Sequence, residues 1–133
     1  MATSAQNTRA RPRTTTATRA GAALIALVGL IHLIEAPDQF SEAAWLGVLF
    51  LASVAGSALV AARLWRRDDA RAWALGAVVA VCCLAGYVWS RTSGLPGMET
   101  EAWDALGIAS LVVEAGFIGL ALSRIRRAAF VSD

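Results

Sequence analysis

The chain of 133 residues has no lysine, one histidine, one tyrosine and three prolines, and its only two cysteines stand side by side. Each scarcity excludes something. Cys82 and Cys83 occupy neighbouring positions, about 100° apart on a helix, so they are poorly placed to pair with each other. With no third cysteine, a disulfide framework is excluded. The missing Cys-x-x-Cys removes the thiol- or quinone-oxidising four-helix membrane proteins. One histidine, His32, cannot make a bis-histidine haem site within one chain. A Glu-x-x-His di-metal centre needs that motif twice, and it is not there. No nucleophile–base pair stands out, so an enzyme is not the expected class, and no cofactor or metal motif is visible. Charge is also scarce, at 17% against about 25% in an ordinary soluble domain.

What is present is apolar and comes in four blocks. Hydrophobic residues make up 57% of the chain, and mean hydropathy is +0.57. A hydrocarbon core of roughly 30 Å needs about 20 apolar helical residues. The pattern predicts helices over approximately 20–36, 43–64, 72–90 and 103–124, the first being the shortest. Together they form a transmembrane domain over 19–127, between a basic arm over 1–18 read as disordered and a tail over 128–133. Four such runs in so short a chain leave little polar surface to keep it dissolved. The five tryptophans fall at run ends or just before them (Trp45, Trp65, Trp73, Trp89, Trp103), the headgroup level that indole prefers. Pro37 is expected to stop the first helix, because proline inside a helix loses a backbone hydrogen bond. No small-x-small cleavage site follows Ile34, so the first run reads as a retained anchor rather than a signal peptide.

Eleven of the twelve arginines lie before the first run, between the second and third, or after the fourth. Only Arg91 lies elsewhere. Lys/Arg bias of this kind orients helices during insertion. The expected fold is therefore an all-α integral membrane protein of the bacterial inner membrane. It is an antiparallel up-down-up-down four-helix bundle, since short loops pack sequence neighbours side by side, with both termini cytoplasmic. The arginine-rich side suits anionic lipid headgroups. A basic patch beside a membrane span is a topology signal, so nucleic acid is not an expected partner. The expected partners are the lipid bilayer and a second copy of the chain or a larger membrane complex, since four short helices enclose little volume.

Small residues mark helix contacts in lipid. Gly21, Ile25, Val28, Gly29 and His32 share one face of the first helix. Ala52, Ser53, Gly56 and Ser57 cluster on the second, Gly76, Ala80, Cys83 and Tyr87 on the third, and Gly107, Ser110, Glu114 and Ala121 on the fourth. Glu114 lies ten residues past Asp104, about 15 Å deeper and near the bilayer midplane. A carboxylate there is costly, so it must face the bundle interior or a wet cavity, or be protonated. It reads equally as a proton or cation site and as a neutral acid bonded to a nearby serine or carbonyl. His32 has Glu35 at i+3 on the same face. The pair offers a proton relay or two metal ligands, and a helix-end histidine satisfied by Glu35 and water is preferred over the metal. Tyr87 is expected near His32 in depth, with Cys83 and Ser110 deeper. Arg91 has Glu35, Glu99, Glu101 and Asp104 as possible partners. A clamp between the two outer loops is favoured over capture of an anionic group.

The run Ser90-Arg91-Thr92-x-Gly94-Leu95-Pro96, then Trp103-Asp104-x-x-Gly107 and Glu114, resembles a group of small four-helix integral membrane proteins of high-GC Gram-positive bacteria. The exit of the first helix, His32-Leu33 followed by Ala36-Pro37, is similar to that group too, and the resemblance spans roughly residues 28–120. It implies a location and a topology, and no chemistry. Small multidrug transporters share the size and the embedded acid, but theirs lies in the first helix. Two readings of function result. One is an outward-facing polar pocket ending at Glu114, in a proton- or cation-coupled transporter, channel or transport-complex subunit. The other is a non-catalytic membrane scaffold or accessory subunit.

Overall fold

A computed structural model describes residues 14–130, and all its regular structure is helical. The helices are α1 (Thr16–Glu42), α2 (Ala44–Arg66), α3 (Ala70–Thr92) and α4 (Ala105–Phe130). All four are long and apolar enough to cross a membrane, and at 1.5 Å per residue each spans roughly 35–40 Å. They form a ring in which α1 packs mainly on α2 and α3 on α4. Contacts of α1 with α4 and of α2 with α3 close the ring, and α1 touches α3 only lightly across the diagonal. Sequence neighbours run antiparallel: Arg19, near the start of α1, lies over the Trp65 ring near the end of α2.

Local chemistry sets most helix ends. Thr15 and Thr18 form a capping box at the start of α1, each side chain serving the other's backbone N–H. Asp69 caps α3 by accepting from the Arg71 N–H at 2.9 Å. At the other end of α3 the N–H groups of Ser93 and Gly94 both turn back to the Trp89 carbonyl. Gly94 stands at φ +76°, and a Cβ there would lie 2.6 Å from the Met98 carbonyl oxygen. Glycine is the residue that takes this left-handed position without strain.

Three boundaries differ from the expectation by more than two residues. α1 passes straight through Pro37 to Glu42, so the predicted outer loop shrinks to one extended residue, Ala43, between α1 and α2. Pro37 withholds an N–H from the Leu33 carbonyl, but packing beyond it holds the last turn in place. The Phe40 ring fills the space beside Gly47 on α2, and the Ala43 N–H bonds to the Gln39 carbonyl at 3.0 Å. α1 also starts earlier than predicted, so Thr16 to Thr18 of the expected basic arm are helical. The remainder of that arm up to residue 13 lies outside the described residues, as do residues 131–133 of the tail. α4 starts at Ala105 and continues through Phe130, past the predicted end at 124 and into the expected tail.

The half of the bundle beside the α2–α3 connection is filled by the packed core, with an open groove beside Ala26 and Trp65 on its α1–α2 face. Trp73 and Phe117 stack with ring centroids 5.5 Å apart, among Ile25, Val28, Val60, Leu64 and Ala121. Trp73 is 1% exposed, whereas Trp45, Trp65, Trp89 and Trp103 are 43–63% exposed. Four tryptophans thus lie on the outer surface where a headgroup belt would be, and the fifth is a core residue. Its ring occupies a notch left by Gly21, and its Nε1–H donates to Asp68 Oδ1 at 2.7 Å. Asp68 also pairs with Arg124 of α4. The outward faces carry Leu27, Leu30, Val48, Leu59, Val78, Val112 and other large apolar side chains, all exposed. That much contiguous apolar surface suits lipid rather than water. In lipid, association depends on close packing rather than apolar burial. Gly29 against Ser57 and Gly76 against Phe117 provide that closeness.

Candidate functional site

The other half of the bundle, toward Ala43 and the α3–α4 loop, is hollow. A cavity of about 350 Å³ lies there, lined from all four helices. Its rim carries Glu35, Gln39, Trp45, Leu95 and Glu101, its walls Leu49, Phe50, Val79 and Tyr87, and its deep end Ser53, Cys83, Ser110 and Glu114, with His32 beside them. The cavity therefore ends where the Trp73–Phe117 core begins.

Glu114 is 1% exposed. Ser110, one turn earlier on α4, donates its hydroxyl to Glu114 Oε1 at 2.8 Å. Oε2 is buried and has no hydrogen-bond partner. A buried polar atom without a partner costs about 1–3 kcal/mol, so an unpaired carboxylate oxygen at a cavity floor is a site that a proton or cation would satisfy.

His32 is placed differently from the expectation. Its Nδ1 lies 2.9 Å from the Val28 carbonyl, one turn back on α1, and its ring packs against Phe50 of α2 with centroids 4.9 Å apart. Helical side chains lean toward the N-terminus of their own helix. The ring therefore turns away from Glu35, and the expected His32–Glu35 pair does not form among the described hydrogen bonds. Because a carbonyl oxygen only accepts, Nδ1 carries the proton in the neutral ring and Nε2 keeps its lone pair. A ring nitrogen of His32, the Cys83 sulfur and a carboxylate oxygen of Glu114 all lie within 4.8 Å of one another. Cys83 donates to Ser53 Oγ at 3.4 Å, and Ser53 in turn donates to the Leu49 carbonyl at 3.0 Å.

Arg91 sits at the rim, its side chain only 9% exposed. Its guanidinium pairs with Glu101 and with Asp104 Oδ2 at 2.7 Å. It also donates to Ser90 Oγ at 3.2 Å and lies over the Tyr87 ring, 4.4 Å from its centroid. All these partners belong to the end of α3 or the α3–α4 connection. Arg91 thus fastens that connection onto its own helix, where a clamp between both outer loops was expected. Its Nε is buried without a partner. Asp104 has three tasks outside the cavity lining: it pairs with Arg91, accepts from the Tyr87 hydroxyl at 3.2 Å, and caps α4 by accepting from the Gly107 N–H at 2.7 Å. That backbone bond, with Arg91 and Tyr87 adding to it, holds the Asp104 carboxyl below its ordinary 3.8.

Of the residues singled out from sequence, Glu114, His32, Glu35, Tyr87, Ser110 and Arg91 line one cavity and Asp104 stands behind its rim. Cys83 and Ser53 belong with the deep group. Their signal was a position on the small-residue faces of α3 and α2 at the same depth as Glu114. Comparison with family models, with curated proteins and with solved structures finds no match to this chain.

Proposed function

We propose that this is a small multi-pass protein of the bacterial cell membrane with both termini in the cytoplasm, whose cavity opens outward and takes up a proton or another cation at Glu114. The observation that carries this reading is the unpartnered, buried Glu114 Oε2 at the end of a cavity rimmed by acidic residues. The orientation rests on arginine placement. Arg19, Arg63, Arg66, Arg67, Arg71, Arg124, Arg126 and Arg127 stand at the filled end, and among the described residues Arg91 alone stands near the hollow one. The filled end would thus be cytoplasmic.

A cation-coupled transporter, a channel or a subunit of a transport complex all fit this arrangement. Little volume is enclosed by one chain, which favours assembly with a second copy or a larger partner. The alternative is a scaffold whose apolar helix faces bind another membrane protein. Flux of protons and of monovalent and divalent cations into proteoliposomes, with and without a pH gradient, tests the first reading. Wild-type flux that Glu114→Gln abolishes supports it. Flux equal in the two proteins, or none, defeats it. A stoichiometric membrane protein retained in mild detergent is the result the scaffold predicts. Labelling of single cysteines placed in the residue 94–100 turn and in the N-terminal arm tests the orientation, which requires them on opposite sides.

A further inference from the structure

We infer that His32, Cys83 and Glu114 together form a binding site for a thiophilic divalent cation, with Zn²⁺ as its reference ion. This rests on the reading of the cavity as a cation site and gives that cation a chemical class.

Three helices bring one donor each: a nitrogen from α1, a sulfur from α3 and an oxygen from α4, all within 4.8 Å of one another. Bonds of about 2.0–2.3 Å in a tetrahedral zinc site put donors roughly 3.3–3.8 Å apart. Closure therefore asks for side-chain shifts on the order of 1 Å, with no rearrangement of the helices.

Each donor residue has an outer partner, and on His32 and Glu114 that partner leaves a second atom free. The Val28 carbonyl holds His32 Nδ1, so the lone pair is on Nε2. The Ser110 hydroxyl holds Glu114 Oε1, and Oε2 is the oxygen without a partner. Ser53 lies beside the Cys83 sulfur, and its hydroxyl can turn to donate to a thiolate. Metal sites use such outer bonds to aim their ligands.

Charge and softness select the ion. Binding releases the Cys83 thiol proton to water in the cavity, and the resulting thiolate and the Glu114 carboxylate bring two negative charges, so a divalent cation leaves the site neutral, the condition that costs least in a low-dielectric bundle. Nitrogen and sulfur donors disfavour Na⁺, Mg²⁺ and Ca²⁺, which take oxygen. Three protein ligands leave a fourth position facing the cavity. Sites with an open position exchange their ligands, whereas closed four-ligand sites are structural. The geometry therefore describes a loading site rather than a fold-stabilising one.

The test uses the full chain in lipid nanodiscs, titrated with Co²⁺ as the spectroscopic probe and then with Zn²⁺. Wild-type protein is expected to show the visible bands of four-coordinate cobalt and a sulfur-to-cobalt charge-transfer band in the near ultraviolet, both removed by Zn²⁺. Cys83→Ser should abolish the charge-transfer band while Cys82→Ser keeps it. His32→Ala and Glu114→Gln should each weaken binding by a factor of about 10 or more, an effect at least as large as loss of an outer-shell partner. Helix content and melting temperature of every variant are recorded, and Cys83→Ala provides a second thiol deletion. No wild-type charge-transfer band, or one that survives Cys83→Ser or depends on Cys82, overturns the site. Glu114-dependent proton flux without cobalt binding would overturn the metal site and leave the broader cation reading standing. Cobalt binding without any flux supports the metal site and counts against coupled transport.

Discussion

Ser110 and Glu114 sit one turn apart on α4, and the serine hydroxyl satisfies one carboxyl oxygen at 2.8 Å while the other stays bare. The relationship is local to one helix, yet it sets the chemistry at the end of the cavity. Ser110→Ala removes the one partner of Oε1 among the described residues and is expected to lower stability by about 1–3 kcal/mol. Glu114→Gln keeps an acceptor for Ser110 and should fold with a smaller loss. Unfolding in mixed detergent micelles checks the order of the two.

Gly21 is the second test, because the Trp73 ring occupies the place of its missing side chain. Phe117 stacks on that ring and Asp68 holds its Nε1, so the ring has little freedom to yield. Gly21→Ala should destabilise by about 1–3 kcal/mol through overpacking. Gly119→Ala, where a Cβ meets nothing within 4 Å, should instead stabilise by about 0.5–1 kcal/mol from helix propensity alone. Opposite signs in paired thermal melts are the expected result.

Arg91 provides a readout confined to one loop. Glu101 donates its N–H to the Ser90 carbonyl at 3.1 Å, and its carboxylate pairs with Arg91. Arg91→Gln should speed hydrogen exchange at the Glu101 amide while amides in the middle of α1 and α4 keep their protection. Arg91→Lys should restore it only in part, since an ammonium lacks the planar fork that reaches two carboxylates at once.

Acid should act on the start of α4 through Asp104. Its folded-state carboxyl lies below the ordinary 3.8, so its stabilising contribution is complete above that value and is lost as pH falls through the lower one. Melting temperature is expected to be unaffected by this group between pH 7 and about 5 and to fall below about pH 4. Asp104→Asn keeps a capping oxygen but cannot ionise, so its acid limb should be shallower than that of the parent. The carboxylate is about half exposed, at 45%, and solvent screening keeps the difference small.

Much of the architecture was legible because the bilayer leaves few options. Apolar runs of 18 or more residues have to be helices, since lipid satisfies no backbone groups. The i, i+4 pair of Ser110 and Glu114 was equally open to reading, being a property of one helix. Pro37 was misread because the rule for a breaker weighs only the lost hydrogen bond, while Phe40 packed on Gly47 belongs to tertiary structure. Trp73 was read as a surface indole because its position in the chain matches that of its four exposed counterparts. What separates it is the Gly21 notch on another helix. The grouping of His32 with Cys83 and Glu114 lay beyond reach for a related reason. Depth follows from counting residues, but the rotation of each helix about its axis follows from how all four pack, and that rotation decides which donors face the cavity.

The join between Asp68, Trp73 and Arg124 has a bearing on traffic through the molecule. Together with Phe117 it makes the arginine-bearing end a stopper, while the hollow is bordered between α2 and α3 by the exposed Leu49, Val78 and Cys82. Anything admitted at the acidic rim can reach the arginine-bearing face through the bundle only if the indole swings out of its glycine slot and the Asp68 bond lets go. Conveyance from face to face would then be paced by a single aromatic side chain, whatever the cargo.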